Sequence, residues 1–232
     1  MRTQELLQVK ALPLFSEMAP QHLESLLDAA LLQHFPSRVV LIHEGEPADF
    51  LHVVIDGLVE MFTEQDGVEW GISLLGPVST FILAAVVCDQ PYLNSARTVR
   101  ESRILLIPAE RIRAIFSQDV ALARVVAKQL AFAYRGAVKK LKGYMARSTV
   151  ERLANWILTE AQRDSSPAHI VLPFDRGTLA SHIGTTRENL SRSLAQLTEH
   201  GVRIRGREIV IDHPDLLETF ARPQPLIDDP AT

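Results

Sequence analysis

The pattern of apolar and polar positions divides the chain into stretches of different character. Residues 20–30 carry apolar positions at helical spacing. Between residues 37 and 108, short runs of β-branched residues alternate with turn residues, which predicts a small sandwich or barrel of strands. The predicted strands are Val39–Ile42, Leu51–Ile55, Leu58–Phe62, Gly71–Leu75 and Ile104–Ile107, with turns at residues 44–47, 56–57, 66–67 and 76–77.

A long helix is predicted from about residue 118, because apolar positions there recur in steps of four and three with no Gly or Pro before Gly136. A helix of about 24 residues would extend roughly 36 Å, more than one small domain covers. We therefore expect its apolar stripe to pack against a second copy, with packing along its own domain as the alternative. The expected interface residues are Leu122, Val126, Leu130, Ala133, Ala137 and Leu141. The basic residues between 135 and 147 are interpreted as a solvated face.

Residues 175–211 follow the order helix, turn, helix and basic hairpin. Leu179 and Ile183 are apolar positions of the first helix, and residues 184–186 form a Gly-containing turn. A second helix follows, and two short strands then flank the sequence Arg-Gly-Arg at residues 205–207. This order predicts a winged helix-turn-helix, whose second helix enters the major groove of DNA.

The start of the second helix carries side chains suited to reading base edges. An arginine can present two donors to guanine, and a glutamate can accept from a cytosine amino group. Residues 188, 191 and 192 share one helix face, although Glu188 and Arg192 could also form only a surface ion pair. The candidate base-reading residues are Arg187, Glu188, Ser191 and Arg192. The candidate phosphate contacts are Thr178, Thr185, Thr186, Arg203, Arg205 and Arg207, whereas His182 and His200 are interpreted as surface residues.

Charge and composition fit a local nucleic-acid surface. The net charge of −4 and the pI near 6.1 argue against indiscriminate coating of nucleic acid. Residues 176–207 nevertheless hold six arginines against two glutamates. No signal peptide is recognised, no apolar run approaches the ~18 residues of a membrane span, and Cys88 is the single cysteine. We therefore expect a cytoplasmic protein without a membrane partner, a disulfide or a four-cysteine zinc or iron–sulfur site.

With these parts in order, the chain resembles the CRP/FNR superfamily of bacterial transcription regulators over nearly its whole length. The segment EGEPADFLHVVIDGLVEMF, residues 44–62, is similar to the family's turn and hairpin. The segment IGTTRENLSRSLAQLTEHG, residues 183–201, is similar to its recognition helix. The resemblance implies an α+β protein. Its expected parts are a jelly-roll sensor domain with N-terminal helices (1–117), a dimerisation helix (118–145) and a winged helix-turn-helix (146–222), followed by a tail (223–232) whose composition predicts disorder.

The recognition helix combines features of two branches of the family. Glu188, Ser191 and Arg192 match the Glu-x-x-Ser-Arg pattern of the FNR branch, whereas Arg187 with Glu188 matches the pair of the cyclic-AMP-binding branch. We place the chain closer to the FNR and nitric-oxide-responsive branch. The resemblance implies a homodimer on an inverted repeat of TTGA or TGA half-sites, and RNA polymerase as a partner if the protein is an activator.

The sensor domain departs from the family where cyclic nucleotides bind. At the positions that hold ribose and phosphate, this chain has Thr80-Phe81 and Asn94-Ser95. Without an arginine a buried phosphate would be uncompensated, which argues against cyclic AMP and cyclic GMP. A haem-linked, nitric-oxide- or redox-responsive sensor is the remaining interpretation, with the cofactor undetermined. The candidate pocket residues are Phe81, Leu83, Cys88, Asn94 and Ser95, and His34, His43, His52 and Cys88 are candidate axial ligands by residue type.

Three alternatives remain open at this point. One is an effector-independent regulator whose sensor domain has lost its ligand, and another is a regulator that still responds to a cyclic nucleotide. The third is a cupin-type jelly-roll enzyme, which needs clustered histidines, typically starting with His-x-His. The chain has no His-x-His, no nucleophile elbow, no P-loop and no dinucleotide fingerprint. We therefore predict that the protein is not an enzyme and holds no metal site built from its own residues.

Overall fold

The first of two structural units, Met1–Ala133, is built from antiparallel strands and short helices. The structure is a computed structural model, and it describes residues 8–163 and 168–229. The elements in this part of the chain are α1 (Pro20–Ala29), β1 (Leu31–Phe35), β2 (Val40–Ile42), β3 (Phe50–Gln65), β4 (Val68–Leu75), β5 (Thr80–Phe81), α2 (Leu83–Cys88), β6 (Ser95–Pro108), α3 (Ala109–Phe116) and α4 (Val120–Ala146). Helix α4 continues past Ala133 into the second unit.

The strands form one sheet in the order β1-β6-β3-β4, with β2 paired to β6 and β5 paired to β3. Strands β3 and β6 are antiparallel partners from Phe50 opposite Pro108 to Phe62 opposite Ser95. Val59 and Ile104 on these two strands are fully buried in a core that the surrounding helices help to cover. This arrangement is the jelly-roll domain that the sequence predicts, and the α+β class is confirmed.

One predicted turn is absent, because strand β3 runs through Asp56-Gly57 as a bulged strand. The pairing register shifts on both sides of Asp56, which is the signature of a β-bulge. Gly57 has a φ of 107°, and a Cβ at this position would overlap the side chain of Ser102. The Ser102 hydroxyl accepts a hydrogen bond from the N–H of Leu58 at 3.1 Å. The glycine therefore serves close strand packing, a role that its turn-like sequence does not reveal.

The apolar segment at residues 81–88 forms strand β5 and the short helix α2. Leu83 and Val86 of this helix are buried in the core. The helix is flanked by two non-glycine residues in the left-handed region, Ile82 with a φ of 57° and Asp89 with a φ of 51°. Arg113 of α3 holds the helix end, since it donates to the carbonyl of Val86 at 3.3 Å and pairs with Asp89 at 3.0 Å.

The burial of residues along helix α4 shows that part of the predicted dimer interface is wrong. Leu122 and Val126 are 0% and 1% exposed, because they belong to the core of their own domain, and Leu130 packs at its border. Their helical spacing therefore reflects packing into the core of their own domain, and these residues are not available to a second copy. Ala133 and Ala137 are exposed, and Leu141 is 57% exposed. The exposed apolar residues in this part of α4 that recur in steps of four, three and four are Tyr134, Val138, Leu141 and Met145.

The second unit, Tyr134–Thr232, packs helices against a small antiparallel sheet. Ser148 begins the helix that follows α4 with a capping box, in which Ser148 and Glu151 exchange backbone and side-chain hydrogen bonds at 2.8 and 3.3 Å. Leu153 and Leu190 are fully buried between the helices. The elements that follow α4 are α5 (Thr149–Arg163), β7 (His169–Val171), α6 (Arg176–Ile183), α7 (Arg187–Leu197), a 3-10 turn (Thr198–His200), β8 (Val202–Arg205), β9 (Glu208–Ile211), α8 (Pro214–Ala221) and α9 (Pro225–Asp228).

The tail differs from the disorder that its composition predicts. Residues 225–228 form helix α9, and the Asp228 carboxylate binds the Arg147 guanidinium through two hydrogen bonds of 2.6 and 2.7 Å. A composition rich in Pro and Asp cannot reveal one specific long-range ion pair, so the prediction is wrong for the helix. Residues 230–232 of the predicted tail lie outside the described residues. Within the described ranges, the chain contains no helix long and apolar enough to cross a membrane.

Candidate nucleic-acid interface

Helices α6 and α7 form a helix-turn-helix in which sequence-encoded signals cap both ends of α6 and the start of α7. The Asp175 carboxylate caps α6 by accepting from the N–H of Thr178 at 2.9 Å. Gly184 ends α6 with a φ of 73°, a conformation that favours glycine. The Thr186 hydroxyl caps α7 by accepting from the N–H of Asn189 at 3.3 Å. The Gly-containing turn predicted from the sequence is therefore present at residues 184–186.

Helix α7 separates a buried face from an exposed face. Leu190 and Leu194 point into the core of the module and are 0% and 4% exposed. The residues on the other side are exposed, and they include all four that the sequence nominates for base reading: Arg187, Glu188, Ser191 and Arg192. The fold thus gathers these side chains on the first turn and a half of one helix.

The exposed face of α7 is locally organised. The Ser191 hydroxyl donates to the carbonyl of Arg187 at 3.0 Å, which leaves its oxygen as an acceptor. The pKa of Glu188 is lowered by hydrogen bonds from its own backbone N–H and from the Thr186 hydroxyl, with smaller help from nearby arginines. Glu188 therefore remains an ionised acceptor, the state that can accept from a base amino group.

Arg187 lies across the first turn of α6. A Cβ on Gly177 would overlap the Arg187 guanidinium, and the nearest Asp175 carboxylate oxygen is 4.0 Å from it. The Arg187 side chain is 72% exposed, so it remains accessible. The role of Gly177 and Asp175 in placing this arginine was not predictable from the sequence, because the contact joins two helices and has no local pattern.

The predicted phosphate contacts are placed unequally. Thr186 is exposed, Thr178 is half-buried, and Arg205 and Arg207 extend from the exposed β8–β9 hairpin. Thr185 is only 8% exposed, so its hydroxyl is not presented to a phosphate, and its backbone N–H donates to the carbonyl of Ala180 within the turn. Arg203 donates two hydrogen bonds, from Nε and Nη2 on one edge of its guanidinium, to the Asp212 carboxylate. Its positive charge is thereby compensated within the hairpin, which corrects its assignment as a phosphate contact.

Two histidines that the sequence assigns to the surface are packed against aromatic rings. The His182 ring meets Trp156 edge-on with 6.5 Å between centroids, and its Nδ1 is buried. Burial lowers the pKa of His182 to about 4, helped by the charge of Lys140. The His200 ring stacks on Phe220 at 3.9 Å. Both belong to the packing of the module, since their aromatic partners are distant in sequence and leave no local signal.

Arg152 supports the helix-turn-helix from behind and was not recognised in the sequence. Its guanidinium donates to the carbonyls of Ile183 at 3.1 Å and Gly184 at 3.3 Å, where α6 ends. It also donates to the carbonyl of Arg147 at 3.0 Å, just after α4 ends. The same guanidinium lies 5.0 Å from the ring centre of Tyr144. Arg152 therefore joins the end of the long helix to the turn of the helix-turn-helix.

The candidate effector residues of the sensor domain do not form one polar cluster. Phe81 and Leu83 are buried in the apolar core, and Cys88 is exposed. The Ser95 hydroxyl accepts from the N–H of Glu44 at 3.0 Å. The Asn94 side-chain oxygen is buried and makes no hydrogen bond within the described part of the chain.

The candidate axial ligands lie in different environments. His52 is buried against Phe81, with 5.0 Å between ring centroids, and its Nδ1 lies 3.1 Å from the carbonyl of Phe50. Burial lowers the pKa of His52 to about 4. His34 is exposed and pairs with Glu101 at 2.7 Å, and His43 is also exposed. Among residues 8–163 and 168–229, no three His, Cys, Asp or Glu side chains come together in a group that could hold a metal ion.

Comparisons with known proteins match both halves of this architecture. Residues 32–119 match the cyclic nucleotide-binding domain, and residues 151–220 match the Crp-like helix-turn-helix domain. A CRP-like cAMP-activated global transcriptional regulator of Mycobacterium tuberculosis is 23% identical over 90% of this chain and 96% of its own length. The cyclic AMP receptor protein of Thermus thermophilus is 26% identical over 92% and 98%, respectively.

A solved structure shows the same fold. A protein of the crp/fnr family from Eubacterium rectale superimposes with a TM-score of 0.76 at 19% identity, covering 91% of this chain and 98% of that one. The relatives named above carry CRP names, so the placement nearer to the FNR branch is not confirmed. Both domains, in the same order and over nearly the whole length, are those of one family. The chain belongs to the CRP/FNR superfamily of DNA-binding transcription regulators, a family of regulators rather than enzymes.

Proposed function

We propose that this chain is a homodimeric regulator that binds an inverted-repeat operator by inserting helix α7 into the major groove. The observation that carries the proposal is the exposed face of α7, with Arg187, Glu188, Ser191 and Arg192 opposite the buried leucines. Two arginines and an ionised glutamate supply the donors and the acceptor that distinguish G·C from A·T pairs in that groove. As the family resemblance implies, we propose half-sites of the TTGA or TGA type.

The proposed dimer forms along helix α4. Tyr134, Val138 and Met145 are 71%, 38% and 79% exposed, and with Leu141 they make a stripe at heptad spacing. Four large apolar side chains in one exposed line are costly to leave in water, and a second copy of the same stripe would cover them. The proposed interface therefore keeps Leu141 from the sequence prediction and replaces Leu122 and Val126 with these three residues. A dimer along α4 fits the proposed inverted-repeat operator, because protein and DNA would then share a two-fold axis.

We further propose that the signal is not a cyclic nucleotide, although the relatives named above are cAMP-type regulators. Asn94 is neutral at the position where the resemblance requires a phosphate-binding arginine. The arginine three residues later, Arg97, is engaged with Glu60 at 2.9 Å and Glu69 at 2.8 Å. A buried phosphate without a cation is strongly disfavoured. Calorimetric titration of the full chain with cyclic AMP and cyclic GMP tests this, and binding of either would overturn it.

The candidate axial ligands are not arranged to hold a haem. The ring of His52 is enclosed by the core beside Phe81, whereas Cys88 and His43 lie on the surface. A haem needs axial ligands that face a common apolar slot. The nitric-oxide and redox interpretation of the sequence therefore gains no support from the arrangement of these side chains. The signal is proposed only to be other than a cyclic nucleotide, and a regulator that needs no effector stays the alternative.

The DNA proposal is tested by selecting binding sites from random double-stranded DNA with the full-length protein. We expect enrichment of one inverted repeat, with half-sites centred about one helical turn apart. Enrichment of a single asymmetric half-site would contradict the dimer, and the absence of any enriched sequence would contradict sequence-specific binding. If the protein is an activator, the same operator placed upstream of a promoter will recruit RNA polymerase.

A further inference from the structure

The C-terminal segment 223–229 is tied to the junction between helices α4 and α5. The Asp228 carboxylate accepts from both terminal nitrogens of Arg147, which lies in that junction, at 2.6 and 2.7 Å. The Arg147 and Asp228 side chains are 8% and 16% exposed. The bidentate geometry makes this charge-assisted pair specific. Because both side chains are poorly exposed, water could not replace either partner if the pair were broken.

Further contacts fix the segment in place. The backbone N–H of Gln224 donates to the Asp228 carboxylate at 2.6 Å, which closes the short helix α9. The ammonium of Lys139, on α4, donates to the backbone carbonyl of Asp229 at 2.7 Å. Lys139 and Arg147 were interpreted as a solvated basic face from the sequence, and in the structure both bind the tail instead. The tail thus contacts α4 through Lys139 and the junction after it through Arg147.

The pair continues into the support of the DNA-binding helices. The backbone carbonyl of Arg147 accepts from Arg152, and the Arg152 guanidinium also holds the carbonyls of Ile183 and Gly184. Asp228, Arg147 and Arg152 are therefore consecutive links between the tail and the turn that precedes α7. Movement of the Arg147 junction would move this support together with the helix-turn-helix.

We propose that Asp228 is a positioning residue for DNA recognition, and that the segment 223–229 sets the angle between α7 and the end of α4. The inference rests on the proposed function, since it concerns a dimer on two half-sites. In such a dimer this angle fixes the distance between the two copies of α7, and so the spacing of half-sites that both can enter. The residue does not contact DNA in this role. It affects which operators bind through the spacing of their half-sites.

The test measures affinity for a series of operators that differ only in the number of base pairs between the half-sites. The wild-type chain is expected to prefer one spacing. Asp228→Asn removes the ion pair, and we expect the preference for that spacing over its neighbours to fall by at least about threefold, the low end of couplings between contacting residues. Binding to a single half-site should be unchanged, because α7 itself is untouched.

Two further variants keep the test decisive. Glu218→Gln removes one negative charge from an exposed position on the neighbouring helix α8, and should leave the spacing preference at the wild-type value. Asp228→Asn leaves the charge of Arg147 poorly exposed and unpaired, which could impair folding. The double variant Arg147→Gln with Asp228→Asn removes both charges, and its spacing preference should be as broad as that of the single variant.

An unchanged spacing preference in the double variant would overturn the inference. Equal weakening at every spacing and at the single half-site would also overturn it, because that is the result of a merely structural role. Failure of the proposed function has a different signature: the wild-type chain itself would then prefer no inverted repeat at any spacing.

Discussion

The ring of Tyr144 occupies the space next to Gly184, so that a Cβ on this glycine would lie 2.6 Å from the Tyr144 Cε1. Tyr144 belongs to the last turns of α4, and Gly184 ends the first helix of the helix-turn-helix. Arg152 faces the same ring from α5 at 5.0 Å. A glycine required by the turn conformation is therefore also required by the contact with α4.

Gly184→Ala is expected to destabilise the DNA-binding module. The left-handed conformation at φ 73° alone costs roughly 1–2 kcal/mol for a residue with a Cβ, and displacement of the Tyr144 ring adds to it. Chemical denaturation followed by circular dichroism measures the change in the free energy of unfolding. Gly136→Ala is the matched control, because no atom lies within 4 Å of its Cβ position in the exposed part of α4. It should be neutral or stabilising, and equal losses in both variants would contradict the role of the Tyr144 contact.

Truncation of Arg192 and truncation of Arg205 are expected to weaken DNA binding in different ways. Arg192→Ala should cost about 1–3 kcal/mol on the preferred operator and relax discrimination at one base pair. Arg205→Ala, in the exposed hairpin, should weaken binding to all sequences alike and reduce the slope of affinity against salt by about one ion. Binding curves at several salt concentrations on matched and mismatched operators separate the two effects. Intact base preference in Arg192→Ala would remove this arginine from the base-reading set.

Val138→Glu is expected to dissociate the proposed dimer. The substitution places one carboxylate from each copy in the middle of the proposed apolar stripe, where the charges repel and lose water. Phe132→Glu is the control, because Phe132 is 57% exposed but lies on the other side of the helix according to its spacing. Sedimentation equilibrium gives the association state of both variants. If the dimer survives Val138→Glu but dissociates in Phe132→Glu, the interface lies on the face of Phe132 and the proposed stripe is wrong.

His52 is expected to make the stability of the sensor domain sensitive to acid. Its pKa is about 4 in the folded chain, against an ordinary value of 6.5, because burial disfavours the charged ring. Between pH 6.5 and 4 the unfolded chain binds a proton that the folded chain does not, so the free energy of unfolding decreases as the pH falls. The full loss would be of the order of 3 kcal/mol.

Calorimetric melting at several pH values measures this effect. His52→Leu keeps an apolar side chain beside Phe81 and removes the titrating ring. Its stability should fall less steeply over the same pH range than that of the wild type. His182 also titrates in this range, but it is present in both proteins and does not affect the difference. Identical pH profiles would show that His52 is protonated alike in the folded and unfolded states.

Features encoded by neighbouring residues were predictable from the sequence. The Gly184 turn and the arginine hairpin were both predicted at the positions where they occur, because each depends on the conformational preference of a few adjacent residues. The exposed face of α7 followed in the same way from helical spacing. The jelly-roll was recognisable because turn residues mark where most of its strands end.

Features that depend on a distant partner were not predictable. The spacing of Leu122 and Val126 correctly indicated a helix, but the period alone cannot tell whether a domain core or a second subunit covers the stripe. Asp56-Gly57 has the composition of a turn, and only the approach of Ser102 makes it a bulge. The ordered helix α9 depends on Arg147, which is 81 residues from Asp228 in the sequence.

The left-handed backbone of Ile82, next to helix α2, has a consequence for the stability of the domain that contains it. A β-branched residue in this region costs roughly 1–3 kcal/mol, which the rest of the fold supplies. A glycine at this position would adopt the same backbone conformation without that cost. It would also lose the Ile82 side chain, which packs against the buried core. The fold therefore keeps an unfavourable backbone conformation in exchange for the packing of one side chain.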